Sequence, residues 1–404
     1  MSVDDEYFDG IGRRVRTVRK LAGMTQPALA SRANVSLSLI KKVEAGFAPA
    51  SPAFVAAVAR ALQVDSTRLM NQPYEDDRRP ERRAHAVIPG LRRELAAYRL
   101  PPDESIRPRS LDELKSAVNH TSKLRHLATL DTLGSELPGL LAELRAAAAQ
   151  ASGHDVEQLY CLLAEAYAAA GQVAYKLGYA DLSSLTTERV EWAASRSADP
   201  LASAAADFYV AGELIANAEW AGALTYLETA RRNIEDELRG DGEAALAMYG
   251  QLHLKSGLAA ARAGDGAMAD DHLLEARQLA RRVKKGSDHY RLAFDADSVN
   301  IWSVGLAVER QDGTEAVKRA DGLRFSSSTP RERVGHHWID LARGYQLHGD
   351  RDSALKALRN AKKISPQQAR YHPQFRETLV TLAESDRRRS DTVSSLARWV
   401  GIRA

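Results

Sequence analysis

The sequence predicts an all-α protein, a small helical head followed by a long α-solenoid of paired helices. Three observations lead there. Apolar residues recur three and four positions apart over runs of about 12–20 residues, and no stretch alternates as a strand would. Breaks fall at Gly, Asp-Gly and Pro. Basic charge gathers at one end: residues 10–64 carry nine Arg/Lys against the one acid Glu44, whereas residues 71–404 carry 46 basic and 47 acidic residues.

The head divides into five helices. Ile11, Val15, Val18 and Leu21 make one apolar stripe over Ile11–Leu21, with Arg13, Arg14 and Arg16 pointing elsewhere and Gly23 as the stop. Thr25 caps a second helix, Gln26–Ala33, with Leu29 and Ala30 inward. Pro27 falls in its first turn, where a missing N–H costs little. Asn34-Val35 makes a short turn. Ser36 caps a third helix, Leu37–Glu44, with Ile40 and Val43 inward and Gly46 ending it. Ser51, followed by Pro52, opens a fourth helix that runs to Leu62, and Asp65 caps a short fifth that runs to Met70.

A basic head on a near-neutral body suits a polyanionic partner; the plainer reading is a solvated basic face. The motif sharpens this. Thr25-Gln26-x-x-Leu29-Ala30, then Val35-Ser36-x-x-x-Ile40-x-x-x-Glu44-x-Gly46, resembles the phage-repressor-like (XRE) helix-turn-helix family over about 60 residues. The resemblance implies a lambda-repressor-like domain that binds a double-stranded DNA operator, the third helix in the major groove and the second across the backbone. It places Gln26 where phosphate is anchored, and Ser36, Leu37, Ser38, Lys41 and Lys42 along the reading edge. Lys41 or Lys42 could then reach guanine O6/N7 or a phosphate. Leu37 departs from the polar side chain usual in the family, which leaves a thymine methyl as its partner. Arg13 and Arg14 are phosphate candidates. Arg19 and Glu44 match a family pair that joins the first helix to the third internally. The family usually reads paired half-sites, so a homodimer is expected, through the array or through the helix around residues 86–99.

Residues 1–72 thus form the head. Residues 73–110 read as a charged, proline-bearing connector with one helix around Pro89–Tyr98, and residues 111–404 as a repeat array. The clearest repeat unit is Trp338, Leu341, Ala342, Tyr345, Ala354, Leu358, Ala361 and Pro366. Its small residues, seven apart on one face, let neighbouring helices approach closely. Ala223/Ala230 and Ala269/Ala276 repeat that spacing after breaks at Glu219-Trp220 and Gly264-Asp265-Gly266. The unit resembles the tetratricopeptide repeat, and five or six degenerate pairs fit residues 150–404.

Behind such a head, this array resembles the quorum-sensing regulators in which a tetratricopeptide domain binds a signalling peptide. It also resembles bacterial families with a similar head and a degenerate repeat body, on the stretch Arg370-Tyr371-His372-Pro373 and Arg376-Glu377. The implied function is a transcription regulator controlled by a signalling peptide or small molecule. The alternative is a protein-interaction adaptor with an auxiliary DNA-binding head. Projecting the repeat onto its neighbours puts Phe208, Gln251, His336, Arg343 and Gln346 on the inner face as candidate effector ligands; a plain polar lining or a dimer surface is the other reading.

Other classes have little support. Cys161 is the only cysteine, so no intrachain disulfide forms. There is no apolar run of membrane-spanning length and no signal-peptide pattern, so a soluble bacterial cytoplasmic protein without membrane contact, nucleoid-associated when on DNA, is expected. His336-His337 diverge by about 100° on a helix and have no chelating companion, so no metal is expected. The Gly-Lys-Ser/Thr, His-Glu-x-x-His and Gly-x-Ser-x-Gly motifs are missing, so neither an enzyme nor a cofactor is expected.

Overall fold

The computed structural model describes residues 10–74, 83–240, 242–384 and 391–402, and among them the ordered elements are helices without strands. The head comprises α1 (Ile11–Leu21), α2 (Gln26–Ala33), α3 (Leu37–Glu44), α4 (Pro52–Leu62) and α5 (Ser66–Met70). The expected caps set these boundaries. The hydroxyls of Thr25, Ser36 and Ser51 accept the N–H of Ala28, Leu39 and Phe54 at 3.1–3.2 Å. Asp65 accepts the Thr67 N–H at 2.7 Å. A cap of this kind stabilises a helix start by roughly 1 kcal/mol. Asn34 closes α2 in the left-handed conformation, φ 53°, which turns the chain directly into α3.

Ile11, Val15, Leu29, Ile40, Val43, Val58 and Leu69 fill the core of the head. Gly12 lies against the Val43 carbonyl so closely that any Cβ would collide with it. That close approach lays α1 on α3. Leu21 departs from the expected stripe: it is 74% exposed, because it ends α1 beyond the reach of the core.

The rest of the described chain is a succession of antiparallel helix pairs. Leu111–His126 pairs with Leu130–Gln150, His154–Leu177 with Ala180–Ala194, and Pro200–Ala216 with Trp220–Asn233. Glu243–Ala263 pairs with Gly266–Ala280, Ala296–Glu309 with Gly313–Ala320, Arg331–His348 with Arg351–Ile364, and Pro373–Glu384 with Asp391–Val400. The alanines spaced by seven, Ala223/Ala230, Ala269/Ala276 and Ala354/Ala361, are all buried where the two helices of a pair meet. The connector differs from expectation. Its helix, Ile88–Ala96, is not a free spacer: Ile88, Leu91 and Leu95 share one apolar core with Leu133, Leu137 and Leu141.

The array curls until its end meets its beginning. Lys176 pairs with Glu332 at 2.5 Å, and the Gln367 side-chain oxygen accepts the Leu130 N–H at 2.6 Å. The first helix of successive pairs therefore lines a lumen. Its walls are charged. Glu309 sits buried between Arg262 and Arg343, at 2.8 and 2.9 Å. Burial opposes ionising this carboxyl, but the two guanidiniums outweigh it and hold it at about 2.

This sets a pH dependence. The unfolded chain takes up the Glu309 proton first, so the stabilisation is complete above about 4.5 and is lost as pH falls from there towards about 2. The share at stake is about 3 kcal/mol. Urea unfolding between pH 6 and pH 3 is expected to show this loss, and Glu309→Gln to flatten the slope. A slope unchanged in Glu309→Gln would place the acid sensitivity elsewhere.

Candidate nucleic-acid interface

The reading edge is built by α3 and its cap. Ser36, Ser38, Lys41 and Lys42 are exposed on one side of α3, while Ile40 and Val43 anchor the other side in the core. Ser36 has a double role, since its hydroxyl oxygen caps the Leu39 N–H while its proton and second lone pair stay available. Leu37 does not stand fully outward as expected: it is half-buried and leans on the head core, where an apolar side chain is favoured.

Behind α3 lies one buried network. The Arg19 guanidinium donates to both Glu44 oxygens at 2.6 and 2.7 Å, and to the Met24 carbonyl at 2.7 Å. The amide of Gln26 donates to the same carboxylate at 2.9 Å. Burial opposes ionising Glu44, but the hydrogen bonds from Arg19 and Gln26 outweigh it and hold the carboxyl below its usual value. The expected pair thus forms. Gln26 is bound into it with its amide fixed at the start of α2, so the residue expected to anchor phosphate also ties α2 to the end of α3.

Arg14 of α1 is tied inside the head and does not fit the phosphate role, whereas Arg13 is exposed. Arg14 donates from Nε to the Leu69 carbonyl at 2.6 Å, tying α1 to α5. The charge of Arg13 acts on Glu384 of the body. Both sit on the side of the head that meets the array. Phe47, three residues beyond the end of α3, is 84% exposed.

The head is docked on the array at two places. The buried carboxylate of Glu377, on helix Pro373–Glu384, accepts the N–H of Ile11 at 3.3 Å and of Ala50 at 3.5 Å. Burial raises this carboxyl above its usual range, and the two N–H groups offset only part of that. Arg376 stacks over the Tyr74 ring at 4.0 Å beside it. On the other side Arg60 of α4 donates to the Ala218 carbonyl at 3.0 Å and pairs with Glu219 at 3.1 Å, while Trp220 packs on the head core. Docking leaves the exposed edge of α3 uncovered.

Residues 11–70 match the family model of the helix-turn-helix domain. The head is a helix-turn-helix domain. No curated protein matches the sequence. Among solved structures, BtubC (BKLC) from P. vanneervenii is 14% identical, covering 65% of this chain and 94% of its own, with a TM-score of 0.33. Bacillus thuringiensis PlcR, solved with the peptide PapR7 and DNA, is 17% identical, covering 68% and 95%, with a TM-score of 0.29. At those TM-scores neither likeness bears on what this chain binds.

The candidate effector residues behind the helix-turn-helix domain separate into two groups. Phe208 is buried in the apolar core with the Lys255 ammonium 3.8 Å from its ring, and His336, partly exposed, packs edge-on to His372 at 5.1 Å. Gln251 and Arg343 are structural. Gln251 is 0% exposed and donates to the carbonyls of Leu292 and Ala293 at 3.2 and 2.7 Å. Arg343 is held by Glu309 and Asp340 at 2.9 and 3.2 Å. Gln346 is half-buried, its side-chain oxygen without a hydrogen-bond partner among the described residues. No group of three or more His, Cys, Asp or Glu among the described residues could hold a metal ion, and no described helix is long and apolar enough to cross a membrane.

Proposed function

We propose that this protein is a sequence-specific transcription regulator that reads duplex DNA with Ser36, Ser38, Lys41 and Lys42, acts as a homodimer, and is controlled by an effector held in the lumen of its array. The observation that carries the reading is the exposed edge of α3, backed by the Arg19–Glu44–Gln26 network that fixes α3 against α1 and α2. Helix α3 is the major-groove element of such a domain, and its lysines bring charge to the groove. The docked head supplies the coupling: Glu377 and Arg60 join it to the array at two separate helices, so a ligand that shifts those helices moves the reading edge.

Selection of bound duplexes from a random pool, followed by titration across salt concentrations, tests this. One sequence class is expected to be enriched, with affinity falling as salt rises, because phosphate neutralisation releases counterions. Binding that shows no sequence preference, with every duplex retained alike, would sink the regulator reading.

A further inference from the structure

One residue joins the array to the helix that carries the head. Helix Pro366–Tyr371 ends at Tyr371 and helix Pro373–Glu384 begins at Pro373, so His372 alone stands between them. It is extended, at φ −77° and ψ 121°, the conformation that a following proline favours. The array side of this joint is firm. Tyr371 is buried, its ring edge-on to His85 of the connector at 5.2 Å. The Gln368 amide donates to the Glu332 carbonyl at 3.0 Å, and Gly335 lies so close to the Ser365 side chain that any Cβ would collide with it. Both contacts bind the joint to helix Arg331–His348.

The head side rests on one stripe of helix Pro373–Glu384. The Gln374 amide reaches the Ala50 carbonyl at 3.5 Å, Glu377 accepts the N–H groups of Ile11 and Ala50, and Glu384 lies against Gly46 in the turn that ends α3. Residues three and seven apart share a helix face, which puts these three side chains in one row. A shift of this helix is therefore felt at Gly46 and Ala50, on the loop that follows the reading edge.

The His372 ring ties the two sides together. Its Nδ1 accepts the Gln374 N–H at 3.2 Å, which caps the new helix, and the ring packs edge-on to His336 at 5.1 Å. Burial, with His336 and Arg343 nearby, holds the His372 imidazole well below its usual range, which keeps Nδ1 an acceptor. His336 in turn faces Asp340 at 3.4 Å, Asp340 holds Arg343 at 3.2 Å, and Arg343 holds Glu309 at 2.9 Å. An unbroken series of contacts thus runs from the charged wall of the lumen to the head, the kind of path along which distant parts of a protein can be coupled.

We infer that His372 is a positioning residue for the head: its ring, held by His336, sets the angle at which helix Pro373–Glu384 leaves the array, and with it how tightly the head is docked. The stretch from Arg370 to Glu377 is then the joint between the two parts. This deepens the regulator reading above and rests on it only for the consequence on DNA, not for the joint.

Hydrogen–deuterium exchange of the full chain, read at the Ile11 and Ala50 N–H groups that dock on Glu377, tests this. His336→Ala removes the ring contact and leaves Glu377 in place. It is expected to speed exchange at both groups about three- to tenfold, the range an aromatic pair supports, while Val15 and Ile40 in the core of the head keep the wild-type rate. His372→Asn retains a capping acceptor for the Gln374 N–H but loses the ring, so it is expected to match His336→Ala. If His372→Asn fails to fold, His336→Ala, at a partly exposed position, decides. Wild-type exchange at Ile11 and Ala50 in His336→Ala, or an acceleration spread equally over Val15 and Ile40, overturns the inference. Affinity for the selected duplex in the same variants separates the two claims: faster exchange with unchanged affinity keeps the joint and removes its part in DNA binding.

Discussion

Glu44→Ala is expected to destabilise the helix-turn-helix domain by about 3–5 kcal/mol, the usual result of stripping one partner from a buried ion pair. The Arg19 side chain is 9% exposed and its partner 2%. Removing the carboxylate strands a guanidinium against the core and releases the Gln26 amide at the same time. Urea unfolding followed by a probe in the head should show the loss. Arg19→Met/Glu44→Leu should recover much of it, since replacing both charges by apolar groups of similar size removes the stranded charge. A loss of less than about 1 kcal/mol in Glu44→Ala would mean the pair is solvated and that α3 is fixed by apolar packing alone.

The second large effect is at the docking contact. Glu377→Ala leaves the Ile11 and Ala50 N–H groups buried without their acceptor, at about 1–3 kcal/mol for each. These bonds hold the head to helix Pro373–Glu384, so the variant is expected to free the head while both parts stay folded. Limited proteolysis should then cut the connector faster, and the thermal transitions of head and array should separate. Glu377→Gln keeps one acceptor oxygen and should fall between. Cleavage at the wild-type rate in Glu377→Ala would show that Arg60 and Trp220 alone keep the head docked.

How much of this was legible in the sequence follows from the range of each interaction. The head was read well because its signals are local. Thr25, Ser36 and Ser51 each cap a backbone group three residues on, and the alternation of core and surface positions along α3 needs no knowledge of the rest of the chain. The alanine pairs of the array belong to the same class. The docking contact lay out of reach: Ile11 and Glu377 are separated by 366 positions, and nothing near Glu377 marks it as buried. Arg14 was misassigned for that reason, because a basic residue on α1 faces either DNA or the rest of the protein, and only the folded position decides.

The lumen failed in a different way. Helical projection finds the inward face but not what stands opposite. Gln251 and Arg343 do point inward, where carbonyls of residues 292 and 293 and the Glu309 carboxylate already occupy them.

The most direct test of the account is the affinity of the full chain for its selected duplex against a scrambled duplex, compared with Ser38→Ala/Lys42→Ala. On the proposed reading of bases by α3, the double variant is expected to lose most of the preference for the selected duplex, by roughly 1–3 kcal/mol for each base contact removed, while keeping its fold and its weak binding to the scrambled one. A double variant that still prefers the selected duplex by the wild-type ratio would contradict the account, and would place recognition on a surface other than α3.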